Sequence, residues 1–515
     1  MASPSEKLTE SLEILRKLQR EGVVAIRSGD LTRTHRERLL NNGFLQEVMK
    51  GWYIPARPDE PAGESTSWYA AFWEFCAAYL GERFDDNWCL SPEQSLLLHS
   101  GNRTVPAQLL VRTPKGGNKV MALPHETSLL AVRAAMPGEK DIVQVNGLRL
   151  YALSAALIAC ASAFYRQYPT EARTALAMVR DASELLERLL EGGHSTIAGR
   201  LAGALRNIGR KRLADDIVNT MRAAGYTIRE DDPFENDSGI TFSTRVVSPQ
   251  VNRLHLLWQS MREPVMARFP APPGLPEYPD DYLAKVEEIY VTDAYHSLSI
   301  EGYRVSSALI ERVRSGNWNP DSHEADREQR DAMAARGYWQ AYRAVYNSLA
   351  RVLAGENAGL VAEEEHGSWY REMFAPGITA GILRPADLAG YRNNQVYIRA
   401  SKHVPPGHDA VRDMLPTLFE LIKEEPEASV RVVLGHFVFV YIHPYMDGNG
   451  RMGRFLMNLM LGSGGYPWTV IPVEQREAYM AALEEASVQQ NIIPFTNFIA
   501  ELVEVSLKGY TATGR

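Results

Sequence analysis

His443-Pro444-Tyr445-Met446-Asp447-Gly448-Asn449-Gly450-Arg451-Met452-Gly453-Arg454 is the stretch on which the reading of this chain turns. An apolar run, Val432–Ile442, precedes it and predicts a buried helix, and Arg451–Leu461 after it is again helix-compatible. Gly448-Asn449-Gly450 leaves the backbone free to take positive φ and to turn several N–H groups into one concavity. The helix beginning there points its positive dipole end at the same place, so the turn reads as an anion hole suited to phosphate. Arg451 and Arg454, three apart on the first turn, can both reach that hole. Without an anion, two arginines at a helix start oppose the dipole, a cost that a purely structural reading leaves unexplained. Asp447 offers a hard oxygen for Mg²⁺ beside a nucleotide's phosphates. His443, four residues earlier, is placed to take a proton from an incoming hydroxyl. These residue types in this order describe nucleotidyl or phosphoryl transfer.

The same twelve residues resemble the signature of Fic-domain enzymes: a histidine, an aromatic, an acidic residue, GNGR, then a second arginine. The resemblance implies a mainly α-helical fold and transfer of AMP from ATP to a Ser, Thr or Tyr hydroxyl of a target protein. By it, His443 is the general base and Asp447 the Mg²⁺ ligand. Gly448, Asn449 and Gly450 cradle the phosphates, while Arg451 and Arg454 neutralise them. Tyr445 stands where phenylalanine is usual and is expected to pack as an aromatic anchor with one hydroxyl to satisfy. The intact GNGR favours AMP over a phosphoryl or phosphocholine group.

Two further stretches agree with the resemblance. Gly390-Tyr391-Arg392, Gln395-Val396-Tyr397-Ile398 and His403-Val404-Pro405-Pro406 resemble the family's β-hairpin flap. The flap is expected over 390–408, with Gln395, Val396, Tyr397 and Ile398 as its target-binding part and Val396–Ile398 as a strand able to pair with an extended target. Ser297-Leu298-Ser299-Ile300-Glu301-Gly302 closes a helix-like segment, 282–302, with Gly302 a natural C-cap. It resembles the family's inhibitory motif, which assigns Ser297, Glu301 and Gly302 to a brake. The implied mechanism is a buried, bidentate Glu301–Arg454 pair occupying the arginine that the γ-phosphate needs. Some relatives use this glutamate to orient a water and remove AMP, so a reverse activity stays open.

The rest of the chain sets the context. With 515 residues, 23% charged and 45% apolar, the composition fits about two to four globular domains. The net charge of −8 excludes a chain coated in basic residues, and three cysteines without CxxC spacing exclude a disulfide framework. The polar start carries no signal peptide, and the apolar runs are about half the ~20 residues a membrane span requires, so a soluble, cytoplasmic protein with no membrane partner is expected. His436 and His443 are seven apart with no third ligand at a suitable spacing, which disfavours a metallohydrolase.

Residues 8–20 and Ser28–Asn42 read as helices, the β-branched patch Val23–Ile26 lies between them, and Phe44–Ile54 reads as a hairpin turning at Lys50-Gly51. That is the order of a winged helix. Residues 1–57 carry ten Lys/Arg against seven Asp/Glu, and Arg33, Arg36 and Arg38 on the second helix are candidates for DNA phosphates. Protein contact is the other use of such a module. Strands are expected over Gln108–Arg112 and Val143–Tyr151, the latter turning at Asn146-Gly147, before an alanine-rich helical block over 152–226. Residues 1–226 resemble AbiEi-type antitoxins of toxin–antitoxin systems, a winged helix joined to an α/β domain.

A linker is expected at 228–247 and an extended proline-rich stretch at 270–279. The expected architecture is therefore multidomain. A winged-helix-like domain with a helical extension spans 1–95 and a small α/β domain spans 96–230. A mainly α-helical Fic fold with its flap and the motif 443–454 spans 245–515. The expected activity is an autoinhibited protein adenylyltransferase using ATP and Mg²⁺ on an unidentified target protein. The alternative is a DNA-binding regulator or antitoxin-like protein whose Fic half senses nucleotide. Oligomeric state is open, a homodimer being the commonest assembly.

Overall fold

A computed structural model describes residues 3–60, 64–235, 248–316 and 329–512. The described chain is mainly helical and divides into two compact units, Met1–Arg253 with Tyr397–Val404, and Leu254–Val396 with Pro405–Arg515.

The first unit opens with α1 (Pro4–Arg20), β1 (Ile26–Arg27), α2 (Arg33–Asn41), β2 (Leu45–Met49) and β3 (Trp52–Pro55). The strands form an antiparallel sheet in the order β1-β3-β2. Thr32 caps α2 by accepting the His35 N–H, and Asp30 accepts the Arg27 N–H, so residues 28–32 turn and the helix starts later than its sequence suggests. Leu15, Ile26, Leu31, Leu39, Leu45 and Tyr53 make its small core. The aromatic α3 (Thr66–Phe84) buries Trp68, Phe72, Phe75 and Cys76 in a second core. Then follow β4 (Cys89–Leu90), α4 (Pro92–His99), β5 (Gln108–Thr113), β6 (Val120–Leu123) and β7 (Thr127–Arg133), giving a sheet ordered β4-β5-β7-β6. The hairpin of β8 (Ile142–Val145) and β9 (Leu148–Tyr151) turns at Asn146 and Gly147, both at positive φ, as a type I′ turn requires. Six helices complete the block: α5 (Leu153–Ala159), α6 (Ala163–Gln167), α7 (Pro169–Ala177), α8 (Ser183–Glu191), α9 (Ser195–Asn207) and α10 (Lys211–Ala223). In the same unit, Tyr397 and Val404 pack on the aromatic core, and the Val105 N–H donates to Lys402 O (2.9 Å). Of the expected linker, 228–235 carries neither helix nor strand and 236–247 lies outside the described residues.

The second unit is helical: α11 (Pro249–Met266), α12 (Pro279–Ile300), α13 (Ser307–Arg314), α14 (Gln329–Leu353), α15 (Ala358–Thr379), α16 (His408–Glu424), α17 (Ala428–Ile442), α18 (Asn449–Ser463), α19 (Arg476–Val488) and α20 (Ile493–Ala512). The proline-rich stretch is non-helical up to Tyr278, and Pro279 then serves as the first residue of α12, where its missing N–H costs nothing. α17 is apolar on every side and buried on every side, the central helix its sequence predicts. α18 packs so closely on it that a Cβ at Gly453 would lie 2.9 Å from Val440 Cγ2.

The hairpin expected over 390–408 does not form: Val396–Ile398 is not a strand, and no strand occurs there. Side chains take the place of a ladder. Gln395 Nε2 donates to Val396 O (3.1 Å) and Pro405 O (2.8 Å). Arg392 reaches Asn394 O and Pro406 O. Pro405 and Pro406 have no N–H to offer a partner strand, so the flap expected from the resemblance is not paired here.

Candidate active site

The site is built where α17 ends and α18 begins. His443 is the C-cap of α17 and takes the left-handed conformation (φ 53°), uncommon for a residue with a side chain. Its Nδ1 lies 3.2 Å from Val440 O. A carbonyl only accepts, so Nδ1 holds the proton and Nε2 keeps its lone pair. Burial pulls the imidazole down to about 4, and the Arg392 cation adds to that, so the ring is neutral at ordinary pH.

The next residues close a tight loop. Tyr445 stacks on Tyr370 at 3.8 Å, the anchor its sequence position implies. Asn449 holds the loop by accepting the Tyr445 N–H (2.9 Å) and donating to Tyr445 O (2.8 Å). Its side chain is therefore spent on the turn, and only its backbone N–H faces the anion hole. Gly448 caps α18 at φ +81°, and a Cβ there would stand 2.8 Å from the Phe374 ring. The first N–H groups of α18 have no intrahelical acceptor, as at any helix start. Asp447 sits at the mouth with 65% of its side chain exposed, its Oδ1 accepting the Gly448 N–H.

Two buried guanidinium groups converge on this turn. Arg451 lies between the rings of Tyr303 (5.2 Å) and Phe374 (5.1 Å), with Asp447 at 3.5 Å, and its Nε and Nη2 are buried without a hydrogen-bond acceptor. Arg454 donates from Nε to Ser297 Oγ (2.9 Å) and from Nη2 to Ser297 O (3.0 Å) and Glu301 Oε1 (2.7 Å), while Nη1 is buried without an acceptor. The predicted bidentate Glu301–Arg454 pair is thus a single contact: Glu301 Oε1 shares Nη2 with Ser297 O, and Nη1 stays without an acceptor. The Glu301 carboxylate also packs against Gly450, where any Cβ would collide with it.

Glu301 reaches this position because α12 ends in a Schellman turn: Gly302 at φ +87°, its N–H to Ser299 O, and the Tyr303 N–H to Leu298 O. Burial raises the Glu301 carboxyl, but Arg454 and then Arg451 outweigh it and hold it below the usual carboxylate range. Burial likewise works against the Arg454 cation, and Glu301 more than restores it. Beneath the pair, Tyr338 donates to buried Asp293 (2.6 Å), whose carboxyl is raised by burial.

Other candidates fall elsewhere. His436 is fully buried with Nε2 on Tyr479 Oη (2.8 Å) and is pulled down to about 3 by burial, so it packs as a neutral core residue. Among the described residues no cluster of three or more His, Cys, Asp or Glu could hold a metal, and no helix is long and apolar enough to cross a membrane. Of the flap residues, Gln395 and Val396 fall in the second unit and Tyr397 and Ile398 in the first. On α2, Arg36 donates to Ser28 O, Arg38 to Lys7 O and Ser11 Oγ, and exposed Arg33 pairs with Glu37 (2.7 Å). Sequence reasoning missed the aromatic clamp on Arg451 and the carbonyl ligands of Arg392. Phe374 and Tyr303 carry no spacing signal that links them to Arg451.

The site is thus a glycine turn at a helix start with two buried guanidinium groups and a neutral histidine at its edge, held together by contacts between helices far apart in sequence. Residues 368–461, from within α15 to near the end of α18, match the Fic/DOC family. Protein adenylyltransferase Fic of Drosophila virilis is 30% identical over 228 residues, 44% of this chain and 43% of that one. The protein of the same name from Drosophila ananassae is 37% identical over 228 residues, 44% and 42% of the two chains. A solved fragment of Fic-1 from C. elegans is 19% identical, covering 67% of this chain and 98% of that one, with a TM-score of 0.38. The chain thus spans under half the length of the curated relatives it matches.

Proposed function

We propose that this chain is a protein adenylyltransferase that moves AMP from ATP to a Ser, Thr or Tyr hydroxyl of a target protein, with Glu301 as its brake. The observation that carries this reading is the set of buried guanidinium nitrogens without acceptors, Arg451 Nε and Nη2 and Arg454 Nη1, around a glycine turn at a helix N-terminus. Buried donors are normally satisfied, and a polyphosphate supplies the missing acceptors. The Drosophila relatives, both named protein adenylyltransferase Fic, agree with it.

In this reading His443 Nε2 takes the proton from the target hydroxyl, whose oxygen bonds to the α-phosphorus of ATP. The bond from that phosphorus to the β-phosphate oxygen breaks, and pyrophosphate leaves. Backbone N–H groups of Asn449 and Gly450 and the Arg451 and Arg454 guanidinium groups hold the phosphates in line, while Gly448, its N–H on Asp447 Oδ1, shapes the turn. Asp447 would hold Mg²⁺, which would neutralise phosphate charge; with one carboxylate near, phosphate oxygens and water would complete its shell. Glu301, on Arg454 and against Gly450, stands where a terminal phosphate would lie and so misaligns bound ATP. The target-binding role expected of Gln395 to Ile398 has no exposed side chain behind it: Val396 is buried, Gln395 bonds to Val396 O and Pro405 O, and Tyr397 packs on the first unit's aromatic core.

The proposed limits 1–95, 96–230 and 245–515 assign the N-terminal part a targeting role of winged-helix type, but the 95/96 limit falls inside α4 (Pro92–His99), and α3 shares one core with β5 and β7. Protein contact suits that module better than DNA, since Arg36 and Arg38 spend their hydrogen bonds inside it. The test is transfer of α-labelled AMP to protein, self-modification included, by wild type, Glu301→Gly and Glu301→Gly/His443→Ala. Strong labelling in Glu301→Gly alone supports enzyme, base and brake together; no labelling in any of them overturns the reading.

A further inference from the structure

Arg392 is among the largest fully buried side chains of the protein, 1% exposed, and among the described residues no carboxylate pairs with it. Its guanidinium is satisfied by carbonyls alone. Nε donates to His443 O (2.7 Å), Nη1 to Asn394 O (3.0 Å), and Nη2 to Pro406 O and Ile442 O (3.3 Å). Its own backbone N–H donates to Pro444 O (2.9 Å). Burial draws the group down to about 10, so it remains a cation at neutral pH.

A buried cation ordinarily requires a carboxylate, and here the negative end of α17 substitutes for one. The last carbonyls of that helix are orphaned, and its dipole favours positive charge beside them. One of those carbonyls belongs to His443 itself, whose left-handed backbone persists only if its surroundings over-determine it. The same planar fork ties down Asn394 and Pro406, the two roots of the 394–406 loop.

From this geometry we infer that Arg392 is a positioning residue, one fork that fixes the His443 backbone and both ends of the 394–406 loop, so that the base is held in register with the reacting hydroxyl. The inference rests on the adenylyltransferase reading for the register of base and hydroxyl; the anchoring of His443 stands independently of it. A point-charge ammonium cannot span carbonyls spread in three directions, so Arg392→Lys retains the charge and loses the clip.

The experiment uses the full chain carrying Glu301→Gly, with Arg392→Lys or Arg392→Met added. Self-AMPylation is expected to fall about 10–100-fold in kcat with the KM for ATP and the ATP·Mg²⁺ thermal shift unchanged, as for a misplaced base. A second readout needs no AMP transfer: the rate of His443 modification by diethylpyrocarbonate against pH, followed by mass spectrometry. The charged groups facing His443 are Arg392, Glu301 and Asp447, so the parent already lacks one of them. In that parent, Arg392→Met raises the modification midpoint and Arg392→Lys leaves it in place. Parental kcat in Arg392→Lys, or kcat and ATP binding falling together, overturns the inference. If the Glu301→Gly parent transfers no AMP, the functional reading falls, and an unshifted midpoint in Arg392→Met would then also overturn the anchoring of His443. Should Arg392→Met not fold, Arg392→Lys decides the question through kcat.

Discussion

Removing the Glu301 carboxylate should exchange a protein–protein ion pair for a protein–nucleotide one, and its size follows from the contacts. Arg454 keeps only 5% of its side chain exposed and Glu301 25%, at 2.7 Å, so the pair is largely shielded from water. In Glu301→Gly the guanidinium retains both Ser297 bonds and loses its one charged acceptor. A charge-assisted hydrogen bond of this kind is worth about 1.5–3 kcal/mol. The apo variant should therefore unfold more easily by roughly that amount, and ATP should return it. Whether the freed guanidinium appears as affinity or as alignment, kcat/KM for ATP in self-AMPylation collects both, and about 1.5–3 kcal/mol corresponds to roughly a 10–150-fold rise. Thermal unfolding of wild type and Glu301→Gly with and without ATP·Mg²⁺, alongside initial labelling rates, measures both halves. Equal ATP-dependent stabilisation of the two proteins with equal kcat/KM would refute competition between Glu301 and a phosphate.

Four further expectations concern this turn and the helix before it. His443→Ala in the Glu301→Gly background should lose about 10²–10⁴-fold in transfer and keep its ATP-dependent thermal shift, because the base contacts the hydroxyl and not the phosphates. Since burial holds His443 at about 4, the acid limb of kcat/KM should lie near there and not near the ordinary imidazole value; a limb at pH 6–7 in the pH–rate profile contradicts the buried, neutral base. Because the folded values of His436 and His443 are depressed, to about 3 and about 4, the unfolded chain binds protons first as pH falls. Their contribution to stability is thus complete above about 6.5 and falls by ~1.4 kcal/mol per histidine per pH unit below it, which denaturant titrations at pH 7.5 and 5.5 would read. Gly448→Ala combines a left-handed backbone with a Cβ 2.8 Å from Phe374, so a loss of about 1–3 kcal/mol is expected, with weaker ATP binding; an unchanged melting temperature would show that the turn relaxes freely.

The chemistry of the site was legible in sequence because it is local. The anion hole, the two arginines and the acid at the mouth lie on one turn and the first turn of one helix, and residues this close in sequence cannot be far apart in space. The apolar Val432–Ile442 and the Gly302 stop were legible for a related reason: helix burial and helix termination depend on a few neighbouring residues. Resemblance to a flap suggested a strand at Val396–Ile398, yet a strand needs a partner's free N–H and C=O groups, and Pro405, Pro406, Gln395 and Arg392 remove or occupy them.

What determines itself along the chain is thus the inventory: a glycine turn opening a helix, cations on its first turn, a histidine before it, and a helix ending at Glu301. Tertiary structure alone decides how those groups are employed. It brings Ser297 and Glu301 together on Nη2 of Arg454, clamps Arg451 between Tyr303 and Phe374, turns Asn449 inward to close its own loop, and gives His443 its neutral ring. The physical reason is range. Backbone conformation is governed over a few residues, whereas desolvation and charge pairing depend on which distant surfaces meet, and folding brings α12, α15 and α18 together at this turn.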